Sequence, residues 1–201
     1  MIAPIRVVAL AALLAALSAC SGGWFGGGPS HPRQPDPYEQ ASRLQDKGDC
    51  AKAVALFQPL AARGRGYEMA QFNLGQCLLV TAAAASSPQE AQTQRVQAAG
   101  WIVKAADSRV AIAQEAAERL YLDGVGVAAD PVEAGKWALL FKHNSLRLEV
   151  GPATADPELE RRLMHQLSAA QWQQAAIRAD RWQPVEQSLT LPPASPQAPP
   201  P

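Results

Sequence analysis

Apolar and polar residues follow each other with a helical period along most of the chain. Between residues 51 and 63, Val54, Phe57 and Leu60 belong to an apolar stripe that Lys52 and Gln58 interrupt. Similar spacing predicts further helices over residues 68–79, 87–107, 110–122 and 131–143, from 157 onward and over 168–182. No stretch has a convincing strand alternation, so the pattern predicts an all-α protein.

Short polar motifs mark where these helices begin and end. Asp49, Ser87-Pro88, Asp130-Pro131 and Asp156-Pro157 are typical helix starts, because the first residue caps the free N–H groups and proline fits the first turn. Ser168-Ala169-Ala170-Gln171 predicts a capping box. Conversely, Gly124 and Gly126 predict a turn with left-handed backbone after the helix that ends near Leu122.

Two stretches repeat at an offset of 43 residues: 70–75 aligns with 113–118, and each follows an Ala-Ala pair. The second copy continues into Leu120-Tyr121-Leu122-Asp123-Gly124-Val125-Gly126-Val127. This pattern resembles the Sel-one-like repeat, a relative of the tetratricopeptide repeat. The positions that carry the resemblance are Ala70, Leu74, Gly75, Ala113, Tyr121, Gly124, Gly126, Ala134 and Trp137.

The resemblance implies a short α-solenoid of antiparallel helix hairpins over about residues 45–142, because one hairpin cannot bury its apolar stripe alone. Alanines such as Ala70 and Ala134 let helices approach closely, whereas Leu74 and Trp137 fill the space between hairpins. The helix over 168–182 resembles the closing helix that caps such repeats.

The first copy departs from the repeat pattern after Leu79. Residues 80–86 replace the expected Gly-x-Gly-Val turn, and the offset exceeds the family period of about 36 residues by roughly seven. The offset therefore implies an insertion of about seven residues at this joint, which leaves open whether the superhelix continues through it.

The N-terminus has the layout of a secretory signal peptide. Arg6 precedes an apolar run over 7–17, which is too short to span a bilayer as a helix. Leu17-Ser18-Ala19-Cys20 resembles a bacterial lipobox, which implies cleavage before Cys20 and acylation (palmitate) of this residue. A chance cysteine beside an ordinary signal peptide is the alternative. Cys20 is followed by Ser21, and this pair resembles the sorting signal of lipoproteins that are exported to the outer membrane. We therefore expect a lipid-anchored envelope protein that faces the periplasm.

These features divide the chain into five parts. They are a signal peptide (1–19), a lipidated Gly- and Pro-rich tether (20–36), the repeat domain (37–145), C-terminal capping helices (146–185) and a Pro-rich disordered tail (186–201).

Cys50 and Cys77 are the remaining cysteines. They fall at the start and near the end of the first predicted hairpin, where the two ends are neighbours. In an oxidising compartment this pair predicts a disulfide, worth roughly 3–4 kcal/mol for the loop it closes. Two buried thiols that pack as small apolar residues are the alternative.

Neither the composition of the chain nor the spacing of its polar residues predicts an enzyme active site, a metal site or a nucleic-acid interface. The 18 basic residues balance the 18 acidic residues, and no run of basic residues occurs. We therefore expect no electrostatic attraction to nucleic acid. The three histidines are isolated, which predicts no metal site and no cofactor. The sequence contains no motif of an activated nucleophile, so we expect no catalytic residue. Carboxylate pairs such as Glu115 and Glu118 fit solvated helix faces.

Three functions are compatible with the sequence. The first is a membrane-anchored scaffold that binds an envelope protein or peptide, with the exposed candidates Lys52, Gln58, Glu133 and Lys136 on first helices of hairpins. The second is a cell-wall or β-lactam-binding hydrolase, because some cysteine-rich relatives of the repeat are linked to that chemistry; here a single, widely spaced cysteine pair weakens the analogy. The third is an envelope spacer without a ligand.

Overall fold

The computed structural model describes residues 36–148 and 155–190. The predicted signal peptide, Cys20 and the tether up to residue 35 lie outside this range. The all-α prediction is confirmed: the described residues form helices joined by short connections. The elements are α1 (Pro37–Asp46), α2 (Cys50–Ala61), α3 (Glu68–Ala83), α4 (Pro88–Asp107), α5 (Ala111–Asp123), α6 (Pro131–His143), a 3-10 turn (Ser145–Leu148), α7 (Pro157–Gln166) and α8 (Ala169–Arg181).

The predicted start signals act as helix caps. The side chains of Asp49, Ser87, Asp130 and Asp156 accept hydrogen bonds from N–H groups in the first turns of α2, α4, α6 and α7. Ser168 forms the predicted capping box at α8. These contacts are local in sequence, which is why the motifs alone located them.

One helix was not predicted. In α1, the Asp36 side chain accepts from the Tyr38 N–H, and Pro37 occupies the first turn. Only Ala41 is fully buried on this short, polar helix, so its apolar stripe is too narrow for a periodicity argument. The Tyr38 ring packs edge-on against Phe57 of α2 at 5.8 Å.

Helices that follow each other in sequence pack side by side from α1 to α6, and α8 then packs against α6. Their buried residues form a row of three clusters: one shared by α1–α4, one by α3–α6 and one by α5–α8. Each cluster is bounded by its neighbours along the row, as in a solenoid.

The insertion between the two repeat copies does not interrupt the packing of consecutive helices. α3 continues as a helix to Ala83, and only four residues separate it from α4. α3 and α4 have 16 and 20 residues, whereas α5 and α6 have 13 each. The extra residues therefore lengthen the helices, and α3 and α4 stay packed because Gly75 leaves room for Ile102.

The chain beyond α8 also differs from the prediction. Residues 183–190, here called the C-terminal segment, run extended against the turns after α2 and α4. The predicted start of a disordered tail at residue 186 is thus too early, because hydrogen bonds to the helical body hold Gln187, Ser188 and Thr190. The rest of the predicted tail lies outside the described residues.

Candidate functional site

Two buried glutamines mark one face of the repeat, where helices end. Gln71 of α3 and Gln114 of α5 are 0% and 1% exposed. Their side-chain Nε2 groups donate to the carbonyls of Ala61 and Ala106, at 3.1 and 3.4 Å. Each glutamine thereby adds a second donor to a carbonyl in the last turn of the preceding helix, which also accepts from the N–H of Gly64 or Arg109. The two sites are equivalent, one in each repeat copy.

The remaining side-chain oxygen of each glutamine is satisfied differently. Asn144, directly after α6, donates to Gln114 Oε1 at 2.9 Å. The equivalent position after α4 is Ser108, whose side chain is shorter. In this copy Gln187 of the C-terminal segment supplies the amide: it donates to Gln71 Oε1 at 2.9 Å and accepts from Gln71 Nε2 at 2.7 Å. Its Nε2 also lies 2.6 Å from Ser108 Oγ.

Main-chain hydrogen bonds fix the rest of the C-terminal segment. The Val185 N–H donates to the Asp107 carbonyl at 2.9 Å, and the Thr190 N–H donates to the Arg63 carbonyl at 2.7 Å. The Ser188 carbonyl accepts from the Arg65 N–H at 3.3 Å. The turns after α2 and α4 thus form a groove that binds an extended backbone.

Trp182 anchors this segment where it leaves α8. Its indole N–H donates to Asp107 Oδ1 at 3.0 Å, and its ring packs edge-on against Trp137 at 6.3 Å. Gly64 stands beside the segment in left-handed backbone, and a Cβ there would collide with the Ser188 carbonyl. The groove therefore depends on a glycine that no side chain can replace without moving the segment.

A second concavity, of about 500 Å³, opens beside α5, α6 and α7. Its apolar wall includes Leu139, Phe141, Leu163 and Trp172. Glu118 of α5 also lines this cavity, although only 5% of the surface of Glu118 is exposed to solvent. The expectation that Glu118 lies on a solvated helix face is therefore wrong. Gln114 precedes Glu118 by one helical turn, so the two share the buried face of α5.

The surroundings of Glu118 disfavour its ionised form. Burial, reinforced by the negative charge of Glu115, raises the pKa of Glu118 to about 8, against the opposing charge of Arg119. Glu160 and Asp156 act in the same direction as Glu115. Removal from water is the main cause, because a carboxylate in an apolar site loses its hydration. The carboxyl group is thus largely protonated at neutral pH.

Of the four candidate partner-binding residues, Lys52 and Gln58 are exposed on α2. Lys52 pairs with Asp49 at 2.6 Å, and this contact lowers the pKa of Asp49 and raises that of Lys52. Glu133 is half-buried on α6. The four residues are divided between α2 and α6, which are not consecutive helices.

The expected exposure of Lys136 is wrong, since this residue is 9% exposed. Its ammonium group pairs with Glu133 and lies 3.9 Å from the centre of the Trp137 ring. Arg178 of α8 reaches the same cluster, at 2.9 Å from Glu133 Oε2 and 2.8 Å from Asp130 Oδ2. These charges attach the closing helix to the start of α6.

Asp130 has two roles in this cluster, as N-cap of α6 and as partner of Arg178. Burial opposes its ionisation, but the hydrogen bonds from Arg178 and from the N–H groups of Glu133 and Val132 outweigh it. The pKa of Asp130 therefore lies below its ordinary value. Its carboxylate is the form that stabilises the start of α6.

The repeat residues occupy the packed interior or the turns. Ala70, Leu74, Ala113, Ala134 and Trp137 are each at most 1% exposed. Gly75 is buried where a Cβ would meet the side chain of Ile102, and Tyr121 is half-buried beside the turn after α5. Gly124 and Gly126 have φ of 67° and 72°, a left-handed backbone that glycine adopts without strain.

Cys50 and Cys77 form a disulfide that joins the start of α2 to α3, with Cα atoms 4.9 Å apart. Both residues belong to the first buried cluster. The bond closes a loop with a sequence separation of 27 residues.

Other chemistry is sparse in the described part of the chain. Residues 36–148 and 155–190 contain no cluster of three or more His, Cys, Asp or Glu side chains that could hold a metal ion. None of the helices described there is both long and apolar enough to cross a bilayer.

Two functional candidates escaped the sequence analysis. Glu118 carried a usable signal, because its four-residue spacing from Gln114 and Leu122 places all three on one helix face. Gln187 carried none, since its partner Gln71 is 116 positions away and the intervening chain decides whether they meet.

Comparison with solved structures indicates the class of fold. The chain is similar to a protective antigen present in uropathogenic Escherichia coli strains, whose crystal structure displays an SLR (Sel-one-like repeat) fold, with a TM-score of 0.56 and 29% sequence identity. The match covers 74% of this chain and 30% of that protein, so the chain spans less than a third of its length. No family's sequence profile and no curated protein matches the chain.

The protein therefore has an all-helical repeat fold of the SLR type. The similarity supports the resemblance to the Sel-one-like repeat family that residues 70–75 and 113–127 carry. Repeat folds of this kind are typically non-catalytic scaffolds that present an extended surface to protein partners.

Proposed function

We propose that the protein is a lipid-anchored interaction module of the bacterial envelope, which binds a protein or peptide through its helical repeats. The fold similarity supports a protein-binding role. Cys20 and the preceding Leu17-Ser18-Ala19 support the anchor, and Ser21 supports a position at the outer membrane facing the periplasm. The Cys50–Cys77 disulfide suits that oxidising location.

The observation that carries this proposal is the extended C-terminal segment bound across the turns after α2 and α4. It supports a role in binding extended chains, because Val185, Gln187 and Thr190 form hydrogen bonds to main-chain groups of these turns and to the buried Gln71. Main-chain pairing supplies affinity, and a pocket for one side chain supplies selectivity.

Site-specific photo-crosslinking in a Gram-negative host tests the binding role. A photoreactive residue is placed in the full chain at Arg65, beside the groove, or at Gln58 on α2, with exposed Gln89 on α4 as the control position. We expect a discrete crosslinked partner from Arg65 or Gln58 that Gln89 does not give. Uniform, partner-free labelling at all three positions contradicts the proposal and favours a spacer.

Labelling with radioactive palmitate tests the anchor. The wild-type chain incorporates the label and sediments with outer membranes, whereas Cys20→Ser does neither. Label in the Cys20→Ser chain, or an unlabelled wild-type chain in the soluble fraction, contradicts lipidation at Cys20. A chromogenic β-lactam provides the remaining check, because turnover above a heat-denatured control would replace the binding role with a hydrolytic one.

A further inference from the structure

Within the C-terminal segment, only Gln187 is enclosed by the helical body. Residues 183–186 and 188–190 are all exposed, and even Val185 and Leu189 remain 56% and 49% exposed. Gln187 is half-buried and pairs with Gln71, which is fully buried. The segment therefore holds its place through main-chain hydrogen bonds and one amide, with little apolar burial.

A segment of this kind opens more easily than the helices beneath it. Few buried apolar contacts and solvent-exposed hydrogen bonds are features of the regions of lowest local stability. Opening has one specific obstacle: departure of Gln187 breaks its hydrogen bond to Gln71 Oε1. A replacement amide removes that obstacle.

We propose that the C-terminal segment is an intramolecular ligand that covers a peptide groove, and that a partner displaces it with an extended segment carrying a glutamine or asparagine side chain. This inference rests on the proposed binding function and names the partner's chemistry. The incoming amide pairs with Gln71 as Gln187 does. Its backbone takes the hydrogen bonds to Arg63, Arg65 and Asp107.

Asn144 shows that an amide from another part of the chain fits this kind of site. In the second copy it donates to Gln114 Oε1 and, at 2.9 Å, to the Arg109 carbonyl. In the first copy Gln187 likewise donates to the buried glutamine, and its Nε2 approaches a different carbonyl, that of Lys104 in α4, at 3.5 Å. A side-chain amide is thus the group that both copies accept.

The tethered segment competes strongly with a free peptide. A short connection to α8 gives it an effective concentration on the order of millimolar. A partner peptide therefore binds the closed chain only weakly, with its affinity reduced in proportion to the open fraction.

The test uses the full chain in detergent micelles and a fluorescein-labelled peptide with the sequence of residues 183–190. Fluorescence polarisation compares wild type, Gln187→Ala and Glu186→Gln, the last as an exposed neighbour on the same segment. We expect Gln187→Ala to bind the peptide about tenfold or more tightly than wild type, and Glu186→Gln to match wild type. A peptide with alanine in place of its Gln187 equivalent loses about tenfold in affinity for the Gln187→Ala chain.

A second measurement needs no variant. Hydrogen exchange at the Val185 and Thr190 amides of the wild-type chain is measured with and without millimolar peptide. We expect the peptide to accelerate exchange at both amides, and the alanine peptide to accelerate it much less at the same concentration. Equal peptide affinity of wild type and Gln187→Ala together with unchanged exchange overturns the inference. A crosslinked partner at Gln58 would still support the proposed function in that case, so the two can fail separately.

Discussion

Replacement of Glu118 by glutamine gives a direct measure of how strongly the fold holds this carboxyl group away from water. The substitution keeps the size of the side chain and removes its charge. Because the pKa of Glu118 is raised from 4.5 to about 8, the folded chain binds a proton more tightly than the unfolded chain. The stability that this group contributes is complete below pH 4.5 and is lost as pH rises toward 8.

The expected magnitude follows from the size of the shift. One pKa unit corresponds to about 1.4 kcal/mol, so wild type loses about 1.4 kcal/mol per pH unit inside the window between the unfolded and folded pKa values. Between about pH 5 and pH 7 the loss is roughly 2–3 kcal/mol relative to Glu118→Gln. Above about pH 8 the difference between the two chains levels off.

Urea unfolding followed by far-ultraviolet circular dichroism, at several pH values from 5 to 9, measures this difference. Glu39→Gln is the matched control, because Glu39 is exposed on α1 and pairs with Arg43 on the surface. For the control we expect the difference from wild type to change by less than about 1 kcal/mol over the same range. A wild-type minus Glu118→Gln difference that is equal at pH 5 and pH 7 would refute the reasoning, since it would mean that Glu118 is hydrated and ionised in the fold.

The remaining predictions concern packing, capping and crosslinking, all read out as free energies of unfolding in urea. Gly75→Ala should destabilise the chain by roughly 1–3 kcal/mol, because its Cβ overpacks against α4. Gly100→Ala has open space at its Cβ and should stabilise the chain by about 0.5–1 kcal/mol. Equal effects of the two substitutions would contradict the packing argument. Asp130→Ala should cost about 0.5–2 kcal/mol through the lost cap, and a neutral result would count against its role. Replacing Cys50 and Cys77 by serine should cost roughly 3–4 kcal/mol under oxidising conditions, and the wild type should lose that advantage under reducing conditions.

Local chemistry made the helix boundaries predictable. Asp49, Ser87, Asp130 and Ser168 satisfy N–H groups two or three residues away, so their effect does not depend on the rest of the fold. The turn at Gly124 is equally local, because the left-handed backbone there needs only a glycine. The helices that these residues delimit therefore have nearly the bounds that the sequence indicates.

Burial of polar side chains could not be predicted in the same way. Lys136 looked like an exposed charge, because the sequence of α6 does not reveal that Arg178 of α8 joins its ion pair with Glu133. The spacing of Glu118 from Gln114 and Leu122 indicates its buried helix face, but not the cavity that Glu118 shares with residues of α7, more than 30 residues further along. In both cases the environment depends on which later helix covers the repeat.

The two repeat copies differ in which residue donates a hydrogen bond to the side-chain oxygen of the buried glutamine. Gln114 receives an amide from Asn144, which directly follows the second copy, so that site is complete as soon as α5 and α6 pack. Ser108 takes the equivalent place after α4, and its short hydroxyl leaves the Gln71 oxygen to a donor from elsewhere. The asparagine at one turn thus completes its site within the second copy, whereas the serine at the other turn leaves the site of the first copy to Gln187. A buried acceptor needs a hydrogen-bond donor, and the chain's own Gln187 supplies it.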